Sequence, residues 1–577
     1  MENFFENGAI VNRGYLYEKT MYNVSNQNIS VCFDSTGAVT YYAEANKTQC
    51  IQFCFVNYYK NGEHIDMFSH RTVNMLGRRQ TISIKTDCAD IICDQFLDAY
   101  SNGVFMHFRT ANNLNNTEIE VAYRFNDTTL LKMLSDGAVH RVDENESFYF
   151  TIPASKEGIK IFLTLKDFED TNFDIKTAFD RALKNVEVEL NSIKIPQGLN
   201  DMQKAMFLSC YYCALENYKE KDHYKGFMAG HRYLLPMRTY YRDSYYTVLP
   251  MYNGHADKVR NEIITLCKGI RPNNTCPSAV NSDYSAFWDE HFDSPSFFVI
   301  MLFDYIKNTG DISLLSEPMG SSTVLEKAEA ILLKLSESED ETGLIYKEGE
   351  LNKRDWADEV NRYGYVTYNE VLYARAWYSL AKLYSLMENT SKAEDYTSKY
   401  ELTKKAINNV LWDESKGYYV NFKNRDYTED NLSVDTVFAA IWKIADKERA
   451  VRMLQNMENT LECKNNPQIK VADFGVMTVY PFYKKITSAY RKSSEPLNYH
   501  NGANWPYLSA IYAYAKRQYG MEYQNALESW FTYNIDKNNF TPIEYFSSAC
   551  PDGSLLQAWS GTAAFVMDKV LSLGFWD

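Results

Sequence analysis

Residues 351–363 read LNKRDWADEVNRY, which places the carboxylates Asp355 and Asp358 on either side of Trp356. Aspartate is a favoured helix N-cap and acids suit a first helical turn, so capping alone accounts for the pair in one reading. The other reading is chemical. A carboxyl beside a tryptophan and other apolar groups is desolvated, which raises its pKa and keeps it protonated near neutrality, as a general acid requires. In that reading Trp356 stacks on a sugar, Asp358 delivers the proton, and Asp355 caps the loop or supports it. Glu370 adds a further carboxylate on the apolar helix NEVLYARAWY.

Four other segments carry unusual chemistry. TYYRDSYYTVLP (239–250) sets Tyr241, Arg242 and Asp243 at a helix start, either as a local ion pair with a cap or as a fork for adjacent sugar hydroxyls. SAFWDEHFDSPSFF (285–298) gathers Trp288, Asp289, Glu290, His291 and Asp293 before a helix opening Ser-Pro, where proline is ordinary. Its histidine has no partner at i+3 or i+4, so substrate contacts and a cap are expected there instead of a metal. NYHNGANWPYLSAIYAYA (498–515) brings His500, Asn501, Gly502 and Trp505 to a helix. A histidine near an apolar face is commonly a satisfied core residue, but the Asn-Gly turn beside it favours function. TPIEYFSSACPDGSLLQAWS (541–560) puts Glu544 between Ile543 and Tyr545, with Gln557 and Trp559 following. A carboxylate so flanked, expected in a loop, has little structural reason to be there.

Two kinds of element must position these residues. Residues 1–170 consist of short alternating runs such as TISIKTDCADIICDQFL, GVFMHFRTA and IKIFLTL, the pattern of an antiparallel β-sandwich. FDIKTAFDRALKNVEVELN, within 171–198, reads as a linking helix. From 199 to 577 the period becomes helical, and segments apolar all round alternate with segments that keep a polar face, as inner and outer helices should. The expected architecture is multi-domain α+β: an N-terminal β-sandwich, then an (α/α)6 toroid of six hairpins. Function would sit where the chain enters the inner helices.

Composition narrows the partners. The chain has 577 residues, 45% hydrophobic and 23% charged, with a net charge of -15, which disfavours nucleic acid. No apolar run is long enough to span a membrane, and the first residues, MENFFENGAIVNRG, lack the basic-then-apolar pattern expected of a secretory signal. The 11 cysteines are scattered, without zinc-site spacing, and read as free thiols of a protein in the cytoplasm. Neither metal nor cofactor is expected. Aromatic residues make up 15%, which suits carbohydrate recognition as well as a large core.

The strings WAD (356–358), NEVLYARAWY, YHNGANWP, IEYF and LQAWS, in this order, resemble the glucosidase domain of glycogen-debranching enzymes and related six-hairpin α-glucosidases. LWDESKGYYVNF (411–422) and RDSYY are similar to further features of that superfamily. The resemblance covers roughly residues 200–577. It implies Asp358 as general acid and Glu544 as general base, with Arg242, Asp243, Trp356, Glu370, His500 and Trp505 lining a sugar pocket. Tyr241, Trp288, Asp289, Asp293, Asn501 and Trp559 complete the expected binding set. No debranching transferase domain precedes the barrel, and WDEHFDSP departs from the debranching pattern, so the resemblance does not specify glycogen as the substrate.

The resulting expectation is an inverting, exo-acting glycoside hydrolase, an α-glucosidase on small oligosaccharides or glycosides. An inverting pair leaves room for a water, with carboxyls roughly 6.5–9.5 Å apart. The alternatives are a glycoside phosphorylase of the same architecture and a catalytically inactive carbohydrate-binding protein. Sugar identity, linkage and oligomeric state are not legible.

Overall fold

The computed structural model describes residues 2–13, 21–45, 50–65, 71–85, 90–110, 117–125, 131–136, 139–141, 147–152, 157–165, 169–170, 172–288, 290–349, 353–484, 492–548 and 551–577. Contacts divide the chain into two compact units. One comprises 1–222, 230–237 and 534–542, and the other 223–229, 238–533 and 543–577.

The first unit is built on an eight-stranded antiparallel sheet from Glu2–Glu6 through Ala9–Arg13, Arg71–Leu76, Arg79–Lys85, Asp90–Phe96 and Gly103–Thr110 to Ile159–Leu165 and Leu131–Ser135. Arg79–Lys85 shows why such a sequence forms a strand: its residues alternate between buried and half-buried, matching the two-residue period of a pleated surface. A five-stranded sheet and a three-stranded one (Met21–Ser25, Ile29–Asp34, Val39–Glu44) accompany it. Sheets meet where the Tyr58 ring packs against Phe108, with centroids 6.3 Å apart. Helix α1 (Ile175–Ser192) is capped by Asp174 and lays Ile175, Ala178, Phe179, Ala182 and Val186 over Phe96, Phe105 and Phe162. Helix α2 (Asp201–Glu216) starts with a capping box of Asn200 and Gln203.

In the second unit the inner and outer helices differ in how they are buried. Helix α5 (Ser294–Thr309) is buried from Ser294 to Ile306, with proline at its first turn and Gly310 closing it at φ +72°. Its neighbour α6 (Val324–Ser336) buries one stripe only: Val324, Leu325, Ala328, Ile331, Leu332 and Leu335. Helix α7 (Thr367–Leu386) is inner and largely enclosed, whereas its partner α8 (Thr390–Val410) buries only Tyr396, Thr403, Ala406 and Ile407. The inner elements form a closed ring by successive contact. Helix α3 (Tyr241–Val248) touches α5, α5 touches α7, and α7 touches the 3-10 turn Val434–Val437 and helix α9 (Phe438–Ile441). These reach α11 (Pro506–Gln518), which meets α13 (Gly561–Met567), and α13 returns to α3. Helices α4 (Ala256–Lys268), α6, α8, α10 (Lys447–Thr460) and α12 (Gln524–Asp536) are the remaining long helices after residue 250. The expected toroid is therefore observed.

Local breaks in the helices have clear causes. The helical segment SYYTVLPMYNGHADKVRNEIITLCKG (244–269) divides after Val248 into a 3-10 turn holding Pro250 and then α4, with Gly254 at φ +100° between them. The hairpin within 411–422 pairs Trp412–Asp413 with Tyr418–Tyr419 and turns through Gly417 at φ +73°. Glu544 lies not in a loop but on the strand Ile543–Phe546, which pairs antiparallel with Pro551–Leu555. Its neighbours Ile543, Tyr545 and Phe546 are all buried, so the strand is held by packing on both sides.

Candidate active site

Every inner element contributes residues to one region, from its first turn or the segment before it. Arg242 and Asp243 open α3, and His291 and Asp293 precede α5. Asp355–Arg362 lies before α7 and Asp435 in the turn before α9. His500 and Trp505 lead into α11, and Glu544 and Trp559 come ahead of α13.

Asp355 and Asp358 face different surroundings. Asp355 is fully buried, with Oδ2 accepting from Lys347 Nζ at 2.6 Å and from Asn369 at 3.1 Å. Its Oδ1 accepts from Arg362 at 2.6 Å and from the Ala357 N–H at 3.1 Å. Burial alone would raise its pKa, but Arg362 and Lys347 hold it far below the carboxylate range. Arg362 also donates to Asp435 at 2.6 Å, and Trp356 Nε1 donates to the same oxygen at 2.6 Å. Asp358 has no such clamp. It is 16% exposed and lies 3.8 Å from His500 Nδ1. Burial pushes its pKa up to about 7, opposed by Arg242 and Arg354 and reinforced by Glu359 and Glu544.

Glu544 is buried in a different way. Its Oε2 accepts from the Ser554 N–H at 2.8 Å and its Oε1 from the Tyr499 hydroxyl at 3.4 Å. The Lys492 ammonium lies 5.0 Å from the Tyr499 ring and 5.4 Å from that of Tyr545. Gly553, at φ +97°, passes so close that a Cβ there would lie 2.4 Å from the Glu544 Cβ. Tyr499 and His500, with ring centroids 4.1 Å apart, join the surroundings of the two acids. Deep burial pushes the His500 pKa well down, and its Nδ1 accepts from the Glu359 N–H at 3.4 Å, so the ring is neutral with hydrogen on Nε2. That nitrogen is buried without a partner.

The remaining side chains form an ion network and an aromatic wall. Arg242 contacts Asp293 Oδ2 at 3.3 Å and Asp243 Oδ1 at 3.5 Å. Burial raises Asp243 to about 7 against the pull of Arg242, with Glu544 adding to the rise. Asp293 also accepts from the Tyr368 hydroxyl at 3.1 Å and pairs with His291 Nδ1 at 2.6 Å. Burial opposes ionisation of Asp293, but His291 and Arg242 hold its pKa below the ordinary value. Trp505 stacks on His500 at 5.1 Å and on Tyr545 at 5.8 Å, and packs against Trp559 at 5.5 Å. Trp288 is 38% exposed, at φ +51°, between Phe287 and the Arg354 guanidinium.

Not every expected binding residue joins this group. Tyr241 gives its hydroxyl to the Leu266 carbonyl of α4 at 2.7 Å. Glu370 is fully buried, accepts the Ile345 N–H at 3.2 Å, and is influenced by Asp340 and Glu339. Asn501 accepts the Tyr483 N–H at 2.7 Å. Trp356 is only 2% exposed, with Arg362 over its ring at 5.6 Å and His500 and Trp505 at its edges. It packs behind Asp358 with no open face for stacking. Asp289 lies outside the described residues. The sequence reading missed Arg362, Asp435, Lys347 and Tyr499. Asp435, in SVDTVF, opens an inner element as Arg242 opens α3, and that position was a usable signal. Among the described residues no group of three or more His, Cys, Asp or Glu is placed to hold a metal ion, and no helix is long and apolar enough to cross a membrane.

A ring of inner helices whose entry segments converge on carboxylates and aromatics defines a six-hairpin glycoside hydrolase. The chain belongs to the amylo-alpha-1,6-glucosidase family, whose model matches residues 217–566. Across its length it resembles a bacterial glucoamylase complexed with acarbose, with a TM-score of 0.66 at 11% identity over 99% of this chain and 97% of that one. A rhamnosidase from Klebsiella oxytoca with rhamnose bound follows, with a TM-score of 0.50 at 14% identity over 95% and 89%. At such identities the likeness shows the fold. A comparison with curated proteins gives no match.

Proposed function

We propose that the protein is an inverting, exo-acting α-glucosidase of the cytoplasm that hydrolyses small oligosaccharides or glycosides. The observation that carries this reading is the unequal treatment of two nearby carboxyls. Burial raises Asp358 to about 7, whereas both Glu544 oxygens accept hydrogen bonds that favour the anion. Asp358 protonates the glycosidic oxygen as the bond to the anomeric carbon breaks. Glu544 takes a proton from the water that attacks the opposite face, and exchange with solvent restores both groups. Arg242 and Asp243 bind sugar hydroxyls, Trp288 offers an exposed ring at the rim, and the enclosed Trp505 and Trp559 back His500 and Tyr545. His500 Nε2–H supplies a further donor. Trp356 and Asp355 position Asp358. The cytoplasmic setting rests on cysteines that are free and buried among the described residues.

The test is a panel of α- and β-linked disaccharides and nitrophenyl glycosides, with the fresh product followed by NMR. An α-linked substrate should first release the β-anomer. Initial release of the α-anomer, activity confined to β-linkages, or phosphate-dependent release of a sugar 1-phosphate would each overturn the proposal.

A further inference from the structure

The Asp293–His291 pair has a second side. His291 is buried, its Nδ1 is committed to Asp293, and its Nε2 has no hydrogen-bond partner. The same histidine lines a cavity of about 320 Å³ that the proposed catalytic groups do not line. This volume is at the small end of ligand pockets, which run roughly 300–1,000 Å³. Phe292, Pro295, Ile331 and Leu335 give the cavity an apolar wall, while Asn274, Thr275, Glu290 and Ser338 add polar groups.

The charge and hydrogen-bonding capacity of the lining restrict the ligand. Glu290 and Glu337 outnumber Lys334, which is already paired with Glu337 at 2.5 Å, so an anion is disfavoured. Asp293 is ionised and accepts the Nδ1 hydrogen, and burial keeps His291 neutral. Nε2 is therefore a bare acceptor, and a buried acceptor left unpaired is costly. A hydroxyl donor satisfies it. An apolar wall with scattered polar groups matches a pyranose, which has apolar C–H faces and a rim of hydroxyls.

We infer that this cavity is a second, non-catalytic sugar site that takes a neutral monosaccharide, with a ligand hydroxyl donating to His291 Nε2. Successive contacts through Asp293 and Arg242 link its His291 to Asp243. The inference requires only sugar binding and holds whether or not the proposed catalytic roles are correct.

Glucose, mannose and galactose titrated separately into the full chain by calorimetry test this directly. At least one sugar should show two sites, the second with a Kd on the order of 1 mM, typical of so small a ligand. Ser338→Trp, at a half-buried position, and Leu335→Trp should fill the cavity. Each should weaken one site at least tenfold and leave the other, with melting curves checking that the variants are folded. Leu335→Trp is the more disruptive change, so Ser338→Trp decides if the former unfolds. A single wild-type site that is lost in Ser338→Trp is the cavity; no site at all for the three sugars, or no site weakened in folded Ser338→Trp, overturns the inference.

Discussion

Asp355 and Asp358 stand three positions apart in one loop, yet the fold treats them in opposite ways. Asp355 is gripped by Lys347, Arg362, Asn369 and a backbone N–H, and its pKa falls far below the usual range. Asp358, 16% exposed, has no hydrogen-bonded cation among the described residues, and its pKa climbs to about 7. Burial acts on both in the same direction, and direct cationic partners decide the sign. One end of the loop is thus a structural anchor and the other a reservoir for a proton. The lesson is that an acid beside a tryptophan is not by itself diagnostic, because what matters is which cations the fold brings to it.

The comparison breaks most severely if the two acids are interchangeable in activity. Asp358→Asn should fold and still bind sugar while its turnover falls about 10²–10⁴-fold, the usual cost of removing a positioned acid or base. Glu544→Gln should fall similarly. Steady-state kinetics beside calorimetric binding checks this, and a normal turnover number for either variant removes that residue from its assigned role. Asp355→Asn should act mainly on stability. It leaves Lys347 and Arg362 buried with less compensation, a loss of about 3–5 kcal/mol for a broken buried pair. Chemical denaturation measures it, and a cost below about 1 kcal/mol would mean the anchor is not one.

How much of this contrast was visible beforehand depends on the range of the interaction. The helical period, the capping signals and the order of the motifs are local, so the toroid and the convergence of Arg242, Asp293, Asp358, His500 and Glu544 were legible. The network behind Asp355 was only partly so, since Asp435, which shares Arg362 with it, arrives from another inner element 80 positions along the chain. Tyr241 and Glu370 show the opposite error. Both sit in attractive strings, but helical rotation turns the Tyr241 hydroxyl to Leu266 and Glu370 toward Ile345. A string fixes which residues are near a helix start, while the direction each faces follows from packing.

The pH dependence of stability should separate the acids by sign. Asp358 has its folded pKa raised from 3.8 to about 7, so its contribution is full below about pH 4 and is lost as pH rises through 7. Asp358→Asn lacks this loss and should gain on the wild type, by up to a few kcal/mol, between about pH 4 and 7. Asp355 has its folded pKa depressed, so its contribution is full above the ordinary aspartate value and fades only as pH falls below about 4. Melting temperatures across about pH 2–8 should therefore show the Asp358→Asn advantage growing between about pH 4 and 7, and the Asp355→Asn deficit constant above about pH 4 and shrinking below it. Parallel curves would show that the two sites do not differ. The same raised pKa gives activity a falling limb above about pH 7, as the general acid loses its proton.

The smallest expected effect is the most discriminating for Trp356, the residue between the two acids. Its ring is 2% exposed and its Nε1 donates to Asp435, which Arg362 also holds at 2.6 Å. Trp356→Phe keeps a buried aromatic ring at this position but removes that donor. Asp435 Oδ2 retains Arg362, so the cost should be that of one hydrogen bond to a charged group, about 1.5–3 kcal/mol of stability. Asp358 should shift only slightly, so the turnover number should drop less than about tenfold, with KM nearly unchanged. A sugar-stacking ring predicts the reverse pattern, with stability preserved and KM raised. If Trp356→Phe is as stable as the wild type and loses sugar affinity about a hundredfold, the ring faces the substrate. In that case the assignment of Trp356 to the anchored side of the loop fails.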